Sequence, residues 1–428
     1  MKPLSITLRK HLRNSLIFFL VILLPLSVLA ETEKEEEKEA VTKEITPAEI
    51  IVGGVMDLEG HSKGLGLGMK AGIEAALQSK PIEGLNIRFI TLNDSYNPEK
   101  TIAATKQLIQ QKALLFLGNV GTPTAKVALP LLAENRIPAI GFFTGAGLLR
   151  SSEGDIINYR ASYVQETRKV IDQALQHGVK PNGICAYVQN DAYGMAGVTG
   201  IRKALENRSG AEHIIQLLDK ILMVEGNNPQ RNNMGPVGVY TRNTFTARKG
   251  YDSLKEWEKK QNTQCKLVVT VGSYESIARF IAYAYKKGEP WIFSAVSFTG
   301  ADNFANTLDK FGVNDRVIMT QVVPLPNSDL NIVKEAKSAL GNQYGYVSQE
   351  GFIVGRLLLY GLQQVIDSDQ VINRANLLAA FNNKTFDLGG LNMDFTNDNQ
   401  GSDLVVMTHL SNNEWREITD DTWNAWRL

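Results

Sequence analysis

Hydroxyl and aromatic side chains recur in this sequence where an apolar run gives way to a helical pattern. Thr122-Pro123 follows the run at 113–117, and Phe143-Thr144-Gly145 closes the run at 138–143. Tyr193 follows residues 183–189, Tyr274 follows 266–271, and Ser297-Phe298 follow 291–296. His61 lies in the loop after the first run. Such residues can hydrogen-bond to a ligand and stack on it; a hydroxyl attacks a bond only when a base activates it, and no nucleophile–base set shows in the sequence. Thr122 stands where a helix opens, and the free N–H groups there suit a carboxylate. The same pair also makes an ordinary helix start, with Thr122 as N-cap and Pro123 in the first turn. Thr144 offers a hydroxyl and Gly145 allows close backbone approach, to a ligand or within a plain turn. Tyr193 and Tyr274 carry a polar tip on an apolar body, which suits a surface that opens and closes as well as packing at a helix start. Ser273 is the alternative to Tyr274. His61, a lone loop histidine, is a candidate by position alone.

Catalytic sets are missing. The sequence contains no G-x-S-x-G, no Walker A lysine motif and no H-E-x-x-H. Gly64, Gly66 and Gly68 are separated from the first strand by the polar loop 57–63, so they fit close packing of a helix better than a dinucleotide fingerprint. Two cysteines and five histidines show no metal-ligand spacing. Neither a cofactor nor a metal is expected, and the function is binding rather than catalysis.

The elements that position these residues alternate in type. Strands are expected at 49–56, 86–92, 113–117 and 138–143, with helices at 65–77, 98–111 and from 122. The pattern then restarts: strands at 183–189, 214–224, 266–271, 291–296 and 317–323, and helices at 194–207, 251–260 and 274–286. Two such βαβα units predict an α/β protein of two doubly wound, Rossmann-like lobes. Ligands of such sheets sit beyond the carboxyl ends of the strands, where the candidates fall. Helices at 330–340 and 351–366 have no sheet of their own and are assigned to the first lobe. Residues 227–250, rich in Gly, Asn, Pro and Arg, are read as a loop that either forms a structural flap or reaches the cleft.

In their order and spacing, several segments resemble the Leu/Ile/Val-binding substrate-binding proteins of ABC transporters, a type I periplasmic binding protein family. They are GGVMDLEGHSKGLGLGMKAGIEAA, Asn93-Asp94-Ser95-Tyr96-Asn97-Pro98, Gly118-Asn119-Val120-Gly121-Thr122, Ile137-Pro138-Ala139-Ile140 and Asn190-Asp191-Ala192-Tyr193-Gly194. The resemblance runs from about Ile50 to the C-terminal region. It implies two lobes with a hinge and a ligand cleft between them, a small-molecule ligand, and a membrane permease as partner. It also implies ligand contacts from Gly121, Thr122, Thr144, Gly145 and Tyr193. Amino-acid binders of the family place an acid near the last strand to pair with the ligand amine; this chain has Val296-Ser297-Phe298-Thr299 there. The ligand class stays at amino acid, carboxylate or amide-like solute. A module presenting its solute to a receptor or histidine kinase is the other reading.

Lys2, Arg9, Lys10 and Arg13 precede an apolar run that ends at Val28-Leu29-Ala30. This predicts a signal peptide over 1–30 and a periplasmic protein; an uncleaved anchor is the alternative, but the run falls short of the ~20 residues of a spanning helix. No cysteine follows for acylation. Residues 31–47, mostly charged at first, predict a solvated tether. The first lobe is expected over 48–160 and 324–384, the second over 161–323 and 385–428, hinged near Tyr159-Arg160-Ala161 and Val323-Pro324. Lys+Arg and Asp+Glu both number 45, which gives no basic footprint for nucleic acid. Cys185 and Cys265 start strands that a doubly wound order sets side by side, as a disulfide or as two buried thiols.

Overall fold

The structure, a computed structural model, describes residues 48–150 and 155–426. The expected signal peptide and tether lie outside the described residues.

Five strands form the first sheet: β1 (Ala48–Met56), β2 (Leu85–Asn93), β3 (Leu115–Leu117), β4 (Ala139–Ile140) and β5 (Ile156–Ile157). All pair in parallel, in the order β2-β1-β3-β4-β5. The second sheet repeats that order with β6 (Ile184–Gln189), β7 (Val237–Tyr240), β8 (Leu267–Val271), β9 (Ile292–Ala295) and β10 (Val317–Gln321), running β7-β6-β8-β9-β10. A hairpin, β11 (Thr385–Asp387) with β12 (Asn392–Asp394), stands apart. Finally β13 (Val406–Ser411) and β14 (Glu414–Glu417) extend the second sheet antiparallel from β10. The fold is mixed α/β with two parallel, doubly wound lobes. Helices cover the sheet faces, so β3, β6, β7, β8, β9 and β10 are buried at every residue.

Two expectations for the second lobe are corrected. Residues 214–224, read as a strand, lie mainly in the helix Glu212–Met223. Its buried residues, Ile214, Leu218 and Ile221, recur at steps of four and three, while the neighbouring Ile215, Leu217 and Leu222 gave the appearance of a continuous apolar run. The missing edge strand is β7, inside the segment read as a loop. Arg231 closes the stretch before it, its guanidinium donating to the carbonyls of Ile221, Val224 and Gly226 and to Asn190 Oδ1.

The helices Asn331–Leu340 and Tyr346–Asp367 pack against Lys63–Ser79, the first helix of the chain. Contact with the longer one is backbone to backbone: a Cβ at Gly72 would lie 2.0 Å from the Ser348 carbonyl oxygen. The β11–β12 hairpin seats Phe386 on Tyr360, ring centres 3.6 Å apart, within this same layer. Residues 385–394 therefore lie with the first sheet's helices. The return to the second sheet, expected at 385, comes after Asn399 and Gln400, which hold Asn158 beside β5.

Cys185 and Cys265 are joined by a disulfide with Cα atoms 5.7 Å apart, spanning a sequence separation of 80. A crosslink closing a loop of that length removes roughly 4 kcal/mol of chain entropy from the unfolded state. Reduction should therefore lower the melting temperature, and Cys185→Ala/Cys265→Ala should reproduce the drop without reductant. Two alkylated thiols in unreduced protein would show that the bond does not form.

Candidate functional site

The two sheets aim their carboxyl ends at a common region, and the lobes are closed on each other there. Gly121 caps the helix Thr122–Glu134 with φ of 106°, a backbone state that favours glycine, and a Cβ there would meet the Tyr96 ring at 2.4 Å. Thr122 is thus the first helical residue rather than the N-cap, and its side chain turns to a different partner. Thr122 Oγ1 lies 2.6 Å from Thr144 Oγ1, which lies 3.1 Å from the Tyr163 hydroxyl. This chain of three hydroxyls runs from the first sheet to the helix that opens the second lobe, Tyr163–Gln176. Gly145 carries it: its carbonyl accepts the Tyr163 N–H at 2.8 Å, and a Cβ on Gly145 would crowd that nitrogen.

Tyr193 meets this chain from the second lobe. Asp191 caps its helix, Ala192–Leu205, by accepting the Tyr193 N–H at 3.0 Å. The Tyr193 ring sits between Tyr163 (5.3 Å) and Phe298 (4.7 Å), and Phe298 packs on Phe143 at 5.3 Å. All of these side chains are buried. Gln189 joins the lobes by donating to the Tyr96 hydroxyl at 3.2 Å and to Asp191 at 2.8 Å. Asp191 also holds Arg242 at 2.9 Å, and Asn243 reaches back to the Ser95 carbonyl. The segment after β7 therefore reaches the cleft.

Ser297 has other partners. Its N–H and hydroxyl donate to the Glu166 carboxylate at 2.7 and 2.9 Å, and Arg160 donates to its hydroxyl. Arg160, fully buried over the Phe143 ring, lies 3.9 Å from Glu166 and 3.5 Å from Glu350. Glu166 thus supplies an acid beside Ser297, where the sequence has none. Tyr274 stands at the cleft edge, its hydroxyl accepting the Gly64 N–H at 3.4 Å. His61 is exposed at the rim with its ring edge-on to Phe245 at 4.8 Å.

Thr122, Thr144, Gly145, Tyr193 and Ser297 are thus brought into one connected network, Gly121 backs it through Tyr96, and Tyr274 and His61 flank it. Sequence reasoning missed Tyr96, Tyr163 and Glu166 as members. Tyr96 lay inside a quoted motif, and Ser162-x-x-Gln165, a capping-box pattern, marked the helix start that Tyr163 opens. Nothing local marked Glu166. No group of three metal-ligating side chains, and no helix long and apolar enough to cross a membrane, occurs among the described residues.

This geometry has relatives. The family model described as periplasmic binding protein matches residues 49–216. A possible leucine/isoleucine/valine-binding protein from Rhodopirellula baltica SH 1 is 30% identical, with a TM-score of 0.77 over 90% of this chain and 100% of its own. The chain belongs to the periplasmic binding protein family. Further structures share the fold at lower identity. An extracellular ligand-binding receptor from Verminephrobacter eiseniae is 19% identical, with a TM-score of 0.71 over 86% of this chain and 100% of its own. A branched chain amino acid ABC transporter protein from Thermus thermophilus, with bound valine, is 13% identical, with a TM-score of 0.66 over 89% and 98%. No curated protein matches the sequence significantly. Members of this family are solute-binding proteins of a generally non-enzymatic type.

In this periplasmic binding protein, burial raises the Glu350 carboxyl from its ordinary 4.5 to about 7, with Arg160 opposing. Burial also raises Asp94, beside Tyr96, from 3.8 to about 6 against the Tyr96 N–H and the Thr101 hydroxyl. Both folded values exceed the unfolded ones. Their contribution to stability is therefore fully present below pH ~4 and is lost as pH rises through about 6 and about 7. Glu350→Gln should flatten the fall in stability between pH ~4.5 and 7 by up to about 3 kcal/mol. Chemical denaturation at pH 5 and 8 reads this; an unchanged pH slope would show that Glu350 does not titrate in the window.

Proposed function

We propose that this protein captures a small polar solute between its lobes by closure and delivers it, on the periplasmic side, to the permease of an ABC transporter. The observation that carries the reading is the hydroxyl chain Thr122–Thr144–Tyr163, which links the carboxyl end of the first sheet to the second lobe among buried aromatic rings. A solute carboxylate or amide has partners there in three hydroxyls and the N–H groups opening the helix at Thr122. Tyr193, Phe298 and Phe143 give its apolar body a surface to cover. The name of the Rhodopirellula relative, and the valine bound in the Thermus structure, support amino acids with apolar side chains as the first solutes to try. Glu166, beside Ser297, stands in the neighbourhood where amino-acid binders hold the ligand amine. The rings are fully covered in the closed form, so a solute enters only when the lobes part.

A thermal-shift screen of branched amino acids, carboxylates, amides and ureas should give at least one solute that raises the melting temperature. With that solute, Thr144→Val should weaken binding by roughly 1–2 kcal/mol in titration calorimetry, because two hydroxyl partners lose their link. Small-angle scattering of the full protein should show compaction on saturation. A solute that binds with an unchanged radius, or a Thr144→Val variant that binds like the parent, would refute capture by closure at this site.

A further inference from the structure

Away from the cleft, the descent from β10 toward the first lobe borders a cavity of about 540 Å³. Its walls come from both lobes. Asp302 lies in the first turn of the second-lobe helix Ala301–Lys310, Trp415 lies on β14, and Tyr346 opens the long helix of the first lobe, with Leu325 and Pro326 adding apolar surface. None of the cleft residues lines it.

The chemistry of these walls is one-sided. The Asp302 carboxylate accepts the Tyr346 N–H at 2.8 Å and has no ion pair among the described residues. Burial raises its pKa, the mark of a carboxylate short of compensating charge. Glu414 and Glu417 add two more carboxylates, and Arg416, the one cation in the lining, is held by Glu414 at 3.2 Å. Trp415 is fixed in place: its ring stacks on Phe304 at 5.9 Å and its indole N–H donates to the Ala301 carbonyl at 2.9 Å. The cavity thus combines aromatic walls with excess negative charge. Its volume is that of an ordinary small-molecule site.

We propose that this cavity binds a small organic ammonium ion, a primary to quaternary amine with apolar substituents. The ammonium pairs with Asp302 and lies against the Trp415 and Tyr346 rings, and the substituents cover Leu325 and Pro326. An anion of the same size would face three carboxylates. A bare divalent metal would need several converging oxygen ligands, and no such group occurs among the described residues.

Choline and n-butylammonium are the probes, with butyrate as the anionic control, in titration calorimetry and thermal melts of the whole protein. Both ammonium ions should bind saturably and raise the melting temperature, and butyrate should do neither. Asp302→Asn keeps an oxygen for the Tyr346 N–H but removes the charge; it should weaken ammonium binding by roughly tenfold. Trp415→Leu should weaken it by roughly fivefold. Glu417→Gln, remote from the packed core, is the second charge variant should Asp302→Asn melt early without probe, and should weaken binding measurably. Thr144→Val, which alters the cleft, should leave ammonium binding as it was. The proposal is overturned if neither ammonium ion binds at millimolar concentration, if the charge variants bind like the parent, or if Thr144→Val abolishes binding and so places the probe in the cleft.

Discussion

Arg160 is a full charge with no exposure, placed where the chain first leaves one sheet for the other. Its nearest acids belong to helices of opposite lobes: Glu166, at the start of the second, and Glu350, in the long helix that covers the first. Moving such ions out of water costs several kcal/mol each, which is recovered only while all partners stay in place. The surroundings reflect that demand. Ser297 and Thr320 donate to Glu166, and Phe143 lies under the guanidinium. Arg160 Nε and Nη1 and Glu350 Oε1 nonetheless lack hydrogen-bond partners. Arg160 stays within ion-pair distance of both acids only while both lobes keep their present positions, so the closed arrangement and the charge network support each other.

The cleft shows the same dependence in apolar terms. Tyr163, Tyr193, Phe298 and Phe143 form one stack contributed by both lobes, and Tyr96 seals one side through Gln189. Opening exposes these rings to water, at about 25 cal/mol per Å² of apolar surface. The hydroxyl chain adds direction to this otherwise non-directional contact between the lobes.

The repeat of βαβα units was readable along the chain, because parallel strands buried on both faces appear as short apolar runs between helical periods. The positions just after those runs were readable too, and Thr122, Thr144, Gly145, Tyr193 and Ser297 do come together. The failures have local causes. In residues 212–223, clustered apolar neighbours hid a period of three to four. In residues 227–250, turn-forming residues on both sides hid the four-residue strand β7. Thr-Pro is also an ordinary helix start with the threonine as cap; here the positive φ of Gly121 makes the glycine the cap and leaves the Thr122 hydroxyl to Thr144.

Sequence alone determined the class of fold, the absence of any familiar catalytic motif, and which loops face the cleft, since each follows from periodicity and from residue types at strand ends. Tertiary structure decided what those loops hold. Glu166 reaches Ser297 across 131 positions of chain, and Gln189 reaches Tyr96 across 93. No periodicity carries such pairings, because they arise only when two separately wound sheets are brought face to face. Tertiary structure also decided that residues 385–394 stay with the first lobe. Phe386 is one more aromatic residue in the sequence, and only the packed surface of Tyr360 and Phe381 gives it a place.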